Sequence, residues 1–285
     1  MIVITGASGQ LGRLVIEQLL EQVPASQLIA AVRNPDKAQA LAALGVQVRK
    51  ADYARPDTLK SAFAGAQKVL LISSSEVGAR VAQHKAVIDA AAREGVELLA
   101  YTSVLHADTS RLGLAEEHRQ TEEAIKASGI ASVILRNGWY HENYTAGIAA
   151  ALIHGGHLGS AGDGKISSAA RADYAAAAVA VLMASEPQAG QVYELAGDAA
   201  YTLSEFAAEV SRQSGKTVTY TDLPEAQYKA ALLQAGLPTF VAELLANSDA
   251  AAAKGALFDD ARQLSALMGR PTTPLAASIT AALKA

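Results

Sequence analysis

The apolar positions of this chain fall into two alternating rhythms. Short continuous apolar runs rich in β-branched residues ("MIVIT" at the start, then "QLIAAVR", "VQVRKADY", "KVLLISSS", "VELLAYTSV" and "ASVILRNG") predict strands buried on both faces. Between them, apolar residues recur at helical spacing. "QLGRLVIEQLLEQV" places Leu11, Leu14, Val15, Leu19 and Leu20 on one stripe. "PDKAQALAAL" opens on proline, as helix starts often do. "DTLKSAFAG" predicts a short helix, a long one is expected from about Val77 to Glu94, and "EEHRQTEEAIKASG" predicts another. Strand and helix thus alternate six times over roughly 135 residues, the pattern of an α/β, doubly wound Rossmann fold with a parallel sheet.

After Gly138 the rhythm changes. "GWYHENYTAGIAAALIHGG" reads as a loop and helix, "GSAGDGK" as a turn-rich stretch and "RADYAAAAVAVLMA" as an apolar helix. "QVYELAG" reads as a short strand joining the sheet edge. From Thr202 on, the pattern is mostly helical ("LSEFAAEVSRQSG", "EAQYKAALLQAG", "TFVAELLANS"), with "KTVTYTDL" as a short strand among the helices. The expected division is a nucleotide-binding domain over 1–136 and a smaller, mainly helical lobe over 137–285, with some segments returning to the sheet edge.

Composition narrows the classes. Net charge is −4 and no basic block occurs, which argues against a nucleic-acid binder or a polybasic membrane-surface protein. There is no cysteine, so disulfides, thiolate metal sites and cysteine nucleophiles are excluded. His154 and His157 form an H-x-x-H pair without acidic or thiol companions, and no metal site is expected. The longest apolar run, Ala175 to Ala184, is about half a membrane span, and no leader peptide is visible; a cytoplasmic protein without membrane insertion is expected. The apolar C-terminal lobe leaves a homodimer open.

The chemistry begins with "ITGASGQLGRLVIEQLL", where Gly6, Gly9 and Gly12 sit between the first strand and the first helix. In such a turn Gly6 permits the tight bend, Gly9 the close approach of a pyrophosphate, and Gly12 close packing of helix on strand. Ala7, Ser8, Gln10 and Leu11 complete the turn and the first helical residues, whose N–H groups and dipole favour an anion. The alternative is a tight turn without a ligand. The second strand ends in Arg33, where NAD enzymes usually carry an acidic residue. A guanidinium there suits a 2′-phosphate and points to NADP(H), unless Arg33 is a solvated surface residue with Lys37 beside it. Asp52 reads as an acceptor for adenine or as a helix cap. Ser73, Ser74 and Ser75 read as ribose contacts or as caps of the following helix.

No tyrosine in the chain has a lysine four residues later, so the usual proton-donating pair of short-chain dehydrogenases is absent. "TGASGQLG", "VRNPDKAQAL", "LLISSSEVG", "AYTSVLHADTSRLGLAEEH", "LRNGWYHENY" and "AGDGKISSAARADYAAAA" nevertheless resemble the NmrA-like branch of atypical short-chain dehydrogenases, over essentially the whole chain. The resemblance is nearest to its bacterial quinone-reducing members. It implies NADPH bound without flavin, two-electron reduction of a quinone, and a nicotinamide lying against "RNGWYHENY", with residues around "GDGKISSAAR" at the same cleft. Candidate cofactor residues from this part of the chain are Tyr101, Asn137, Gly138, Trp139, Tyr140 and Arg171. Trp139 is open to a core reading and Arg171 to simple exposure.

Hydride arriving at a quinone ring builds charge on a carbonyl oxygen, and donors aimed at that oxygen stabilise it. Tyr101, Thr102, His106, Asn137, Tyr140, His141, Asn143 and Tyr144 follow the fifth and sixth strands and are the candidates, with Asn143 and Tyr140 foremost. In several NmrA-like reductases a lysine stands roughly where this chain has His118. His118 reads either as a proton donor or as a half-exposed residue bonded to Glu122, one helical turn on. The alternatives to an enzyme of this kind are a non-catalytic NADP(H) redox sensor that binds a protein partner, and a related dye or carbonyl reductase.

Overall fold

A strand whose side chains are apolar on both faces is stable only between two layers of helix, and β1 (Ile2–Thr5) is such a strand. The structure, a computed structural model, describes residues 1–284. In chain order β1 is followed by α1 (Gln10–Leu20), β2 (Leu28–Val32), α2 (Gln39–Ala43), β3 (Gln47–Lys50), α3 (Pro56–Phe63), β4 (Lys68–Leu71), α4 (Arg80–Arg93), β5 (Leu98–Val104), α5 (Ala115–Ser128) and β6 (Ser132–Asn137). Then come α6 (His141–Thr145), α7 (Ile148–His154), β7 (Gly156–Gly159), α8 (Arg171–Met183), β8 (Val192–Leu195), α9 (Leu203–Ser214), β9 (Thr219–Asp222), α10 (Glu225–Gln234), α11 (Thr239–Ala252), α12 (Gln263–Met268) and α13 (Leu275–Lys284).

Seven strands form one sheet in the order β3-β2-β1-β4-β5-β6-β8. The pairs β3–β2, β2–β1, β1–β4, β4–β5 and β5–β6 are parallel, with Ile2 opposite Leu28 and Lys68. The order reverses at β1, next to β4, which is the switch point of a doubly wound sheet. The chain divides into two compact units: 1–107 with 116–137 and 171–193, and 108–115 with 138–170 and 194–285.

In the first unit one sheet face packs Val3, Ile29, Ala31, Val69, Leu71 and Leu99 against Leu59 and Phe63 of α3, Val87 and Ile88 of α4, and Ile125 of α5. Helices α1 and α8 pack together. Their seam is tied by Gln18, whose Nε2 donates to the Ala172 carbonyl at 3.1 Å. Lys68 on β4 donates to the carbonyl of Leu182, in the last turn of α8, at 2.6 Å.

The predicted helix over "PDKAQALAAL" is instead a 3₁₀ turn at Pro35–Ala38 followed by the short α2. Asn34 Oδ1 accepts from the Asp36 N–H at 3.0 Å and fixes the tighter turn, and Ala38 leaves helical backbone geometry (φ −108°, ψ 20°). The helix expected from Val77 begins at Arg80, because Gly78 takes φ +90° in the preceding turn. No helix among the described residues is long and apolar enough to cross a membrane.

The second unit has its own two-stranded parallel sheet, β7 with β9, in which Gly156 stands opposite Thr219. Strand β7, "GHLG", was not anticipated; four residues with two glycines carry no strand signal without their partner. Helix α9 is closed by a capping box: Thr202 Oγ1 accepts from the Glu205 N–H and Glu205 returns the bond to the Thr202 N–H. At the unit's centre Asp249 is 3% exposed and accepts from the Tyr144 hydroxyl and the Ser160 N–H, both at 3.1 Å. Burial raises its carboxyl to about 6, against the pull of those two donors.

The folded state therefore takes up a proton at Asp249 at higher pH than the unfolded chain does. The cost of the buried charge is present above pH 6 and disappears as pH falls toward 4. Comparing wild type with Asp249→Asn by denaturant unfolding at pH 7 and pH 4.5 should show the difference moving toward wild type at the lower pH, by about 2 kcal/mol. A difference independent of pH would contradict the buried-carboxylate account.

Candidate dinucleotide cleft

The turn after β1 is built on backbone that only glycine supplies. Gly6 sits at φ +58°, in the left-handed region. A Cβ on Gly12 would stand 2.6 Å from the Gly6 carbonyl oxygen and 2.7 Å from the Ala7 Cα, so α1 approaches the turn at a distance no other residue allows. The Gly9 N–H donates to the Gly6 carbonyl, and the first helical bond runs from the Arg13 N–H to the Gly9 carbonyl. The N–H groups of Gln10, Leu11 and Gly12 precede it and have no intrahelical acceptor. No side chain caps α1 and no acidic residue stands in its first turn. The positive end of the helix is open to an anion.

These residues line a cleft of about 360 Å³ in the first unit. Gly6, Ser8, Gly9, Gln10, Leu11 and Gly12 form its floor, and Arg33, Asp52 and Ser73 to Ser75 stand around it. The structure thus brings together most of the expected cofactor residues. Ala7 is fully buried beneath the turn and does not line the cleft. Asp52 Oδ1 accepts from the Ala54 N–H at 3.1 Å, a local turn, while still lining the cleft. Arg33 is 72% exposed and pairs with Glu76 at 2.6 Å.

Five lining residues were not anticipated: Ala51, Tyr53, Ile72, Glu76 and Gln83. Tyr53 is anchored by hydrogen bonds to Thr5 Oγ1 and the Ile72 carbonyl. Ile72, Glu76 and Gln83 follow β4 or lie on α4. Glu76 directly follows the serine run, and only the pairing in space reveals it as the partner of Arg33.

The serine loop is held from behind. The Ser74 N–H donates to His84 Nε2 at 2.9 Å, and the Ser74 carbonyl accepts from Arg80 Nε at 2.7 Å. The Ser73 N–H donates to Thr102 Oγ1. Because an amide can only donate, His84 accepts at Nε2 and carries its proton on Nδ1, which lies 3.0 Å from Thr121 Oγ1. Burial, then the Arg80 charge, pushes the His84 imidazole down to about 3, so it stays neutral.

His118 belongs to the same buried group. It is 4% exposed, not half-exposed, and its partners are Tyr101 (2.7 Å to Nδ1) and Arg80 (3.3 Å to Nε2), not Glu122. Glu122 is taken by Arg136 through two bonds and by Ser103. Burial and the neighbouring Arg80 hold the His118 imidazole well below its ordinary range. A histidine that stays neutral cannot act as an imidazolium acid near pH 7, and the expectation of a His118 proton donor is revised accordingly. The Tyr101 side chain is fully buried in this network and does not line the cleft, which revises its expected cofactor contact.

The remaining candidates lie elsewhere. Asn137 ends β6, is buried, and its Oδ1 has no hydrogen-bond partner among the described residues. Arg171 opens α8 in the first unit. Gly138, Trp139, Tyr140 and Asn143 belong to the second unit. There the Gly138 N–H donates to the Leu195 carbonyl, Trp139 is buried, Tyr140 pairs with Ala169, and Asn143 is half-buried in α6. His141 and Tyr144 are committed to Ser278 and Asp249 within that unit. His106, after β5, adopts φ +52°, an uncommon conformation for a side-chain-bearing residue. A second, larger cleft of about 730 Å³ lies along α3 and α4, lined by Pro56, Lys60, Lys85, Asp89 and Arg93 among others, and has no glycine turn.

A parallel sheet reversing at β1, with a glycine turn and an uncapped helix at that point, defines a Rossmann-type protein. The chain belongs to the NmrA-like family, whose model matches residues 1–277. It is 59% identical over 280 residues to quinone oxidoreductase 2 of Escherichia coli K12, covering 98% of both chains. The solved structure of the NADPH-dependent quinone oxidoreductase QOR2 of E. coli, complexed with NADPH, matches with a TM-score of 0.97 over 99% of this chain and all of that one. Triphenylmethane reductase of Citrobacter sp., complexed with NADP(H), is 38% identical and matches with a TM-score of 0.95 over 99% of this chain and 100% of that one.

The glycine geometry makes a graded prediction. Gly12→Ala forces a Cβ into fixed backbone and should destabilise the protein by about 1–3 kcal/mol, seen as a Tm several degrees lower. Gly9→Ala, whose nearest atom stands at 3.1 Å, should cost less. Equal Tm values for Gly12→Ala and wild type would contradict the close approach.

Proposed function

We propose that this protein is an NADPH-dependent quinone oxidoreductase that passes a hydride directly from NADPH to a quinone without flavin. The observation that carries this reading is the 59% identity with E. coli quinone oxidoreductase 2 across 98% of both chains. The cleft supports it, because its donor set fits the phosphates of the cofactor. The N–H groups of Gln10, Leu11 and Gly12 bind the pyrophosphate, with Gly6, Ala7, Ser8 and Gly9 shaping the turn that lets it approach. Arg33 takes the 2′-phosphate through charge-assisted bonds, and Asp52, Ser73, Ser74 and Ser75 bound the adenosine side.

NADPH, when bound, supplies the hydride, and the protein's part is to orient it and stabilise developing charge. Asn137, Gly138, Trp139, Tyr140 and Arg171 serve the nicotinamide half. The buried, unsatisfied Asn137 Oδ1 supports a ligand-facing acceptor at the end of β6, since such a group costs free energy until a donor reaches it. Asn143 and Tyr140 donate to the quinone oxygen, where preorganised donors gain most as negative charge appears. With His118 neutral, solvent supplies the single proton that, with the hydride, completes the quinol. Quinones, with dyes as a related class, are the substrates.

Flavin-free protein should oxidise NADPH on addition of a simple benzoquinone, followed by loss of the reduced-nicotinamide absorbance. Arg33→Ala should raise KM for NADPH about 10- to 100-fold, the worth of a hydrogen bond to a charged group, and leave KM for NADH nearly unchanged. Tight NADPH binding with no turnover over a panel of quinones would overturn the enzyme reading. An equal loss with both cofactors would overturn the role of Arg33.

A further inference from the structure

The acidic residue that Rossmann proteins usually carry at the end of β2 is missing here, yet a carboxylate stands at the same guanidinium. Glu76 Oε1 lies 2.6 Å from Arg33 Nη1, and Glu76 Oε2 accepts from Gln83 Nε2, also at 2.6 Å. Both carboxylate oxygens are therefore engaged. The Glu76 N–H donates to Ser74 Oγ, and Ser74 is itself clamped through its N–H by His84 and through its carbonyl by Arg80. Gln83 is buried and comes from α4, so the partner that aims Glu76 rests on a rigid element. Arg33, Glu76 and Gln83 line the same cleft as the glycine turn. The bonds from Gln83 and Arg33 hold the Glu76 carboxyl below its ordinary range, and it is ionised at neutral pH.

A fixed carboxylate at that point treats the two dinucleotides oppositely. A 2′-phosphate is an anion and acceptor only; to reach Arg33 it must displace or share with Glu76, and it meets a like charge. A 2′-hydroxyl is a donor that a carboxylate accepts, the role of the acidic residue in NAD enzymes. Arg33 and Glu76 thus pull selectivity in opposite directions.

We propose that Glu76 is a selectivity residue of this cleft, which occupies Arg33 while no 2′-phosphate is bound, competes with that phosphate, and accepts from the 2′-hydroxyl of the unphosphorylated cofactor. The inference rests on the dinucleotide reading given above. It makes the enzyme less exclusive for NADPH than Arg33 alone would. The Arg33–Glu76 pair is solvent-exposed (72% and 46%), so its strength, and hence the effect, is modest and salt-dependent.

The test is titration of wild type, Glu76→Gln and Glu76→Ala with NADPH and NADH at low ionic strength, followed by nicotinamide fluorescence. Adenosine 2′,5′-bisphosphate and adenosine 5′-monophosphate serve as probes of the adenosine end alone. Both variants should bind NADPH and the bisphosphate about three- to tenfold more tightly, and bind NADH no better or more weakly. The gain should shrink at high salt. If NADPH affinity falls in both variants, or changes equally for NADH, the proposal is wrong while the cofactor reading stands. If neither dinucleotide binds wild type, the cofactor reading itself fails. Glu76→Gln keeps the side chain's size and Glu76→Ala removes it, so agreement between them assigns the effect to charge.

Discussion

Everything in the first unit depends on the contact between α1 and the turn that feeds it. Gly12 has no Cβ, and the Gly6 carbonyl occupies the space where one would be. That contact sets the height of α1 against β1 and leaves the first N–H groups of the helix without internal partners. A side chain at position 12 would force α1 away from the turn, and an acidic residue in its first turn would place a charge where an anion is to bind. The turn carries neither, so the positive end of α1 stays available at the sheet's switch point.

The second determinant is the rigidity of the opposite wall. The loop after β4 offers serine hydroxyls to the cleft, but its backbone polar groups are taken by His84, Arg80 and Thr102. Behind it Tyr101, His118, Thr121 and Glu117 continue a buried network in which the guanidinium fixes which histidine nitrogen accepts. Arg80 also forms an ion pair with Glu117 at 3.8 Å, and side chains bonded to one another in this way specify one geometry. Its two histidines stay neutral, so the wall keeps its shape across the physiological pH range.

Much of this was legible in the sequence, for local reasons. The glycine spacing, the apolar runs of β1 to β6 and Arg33 after β2 each carry their meaning within a few residues. So did the return of "QVYELAG" to the sheet, where β8 lies beside β6. What escaped depends on partners far along the chain. His118 and Glu122 share a helical face, yet each is claimed by a different arginine, Arg80 and Arg136. Strand β7 exists only because β9 pairs with it some sixty residues later. Glu76 reads as a loop residue until Arg33, forty-three positions earlier, is seen beside it.

The proposed binding mode sets the phosphates of NADP(H) on the open end of α1 and its 2′-phosphate at Arg33. The most direct measurement is titration of isotope-labelled protein with NADP⁺, following backbone amide resonances. The largest shifts should fall at Ser8, Gly9, Gln10, Leu11 and Gly12, with a second group around Arg33 and Ser73 to Ser75. Shifts centred instead on the basic cleft of Lys60, Lys85 and Arg93, with the glycine turn unmoved, would contradict it.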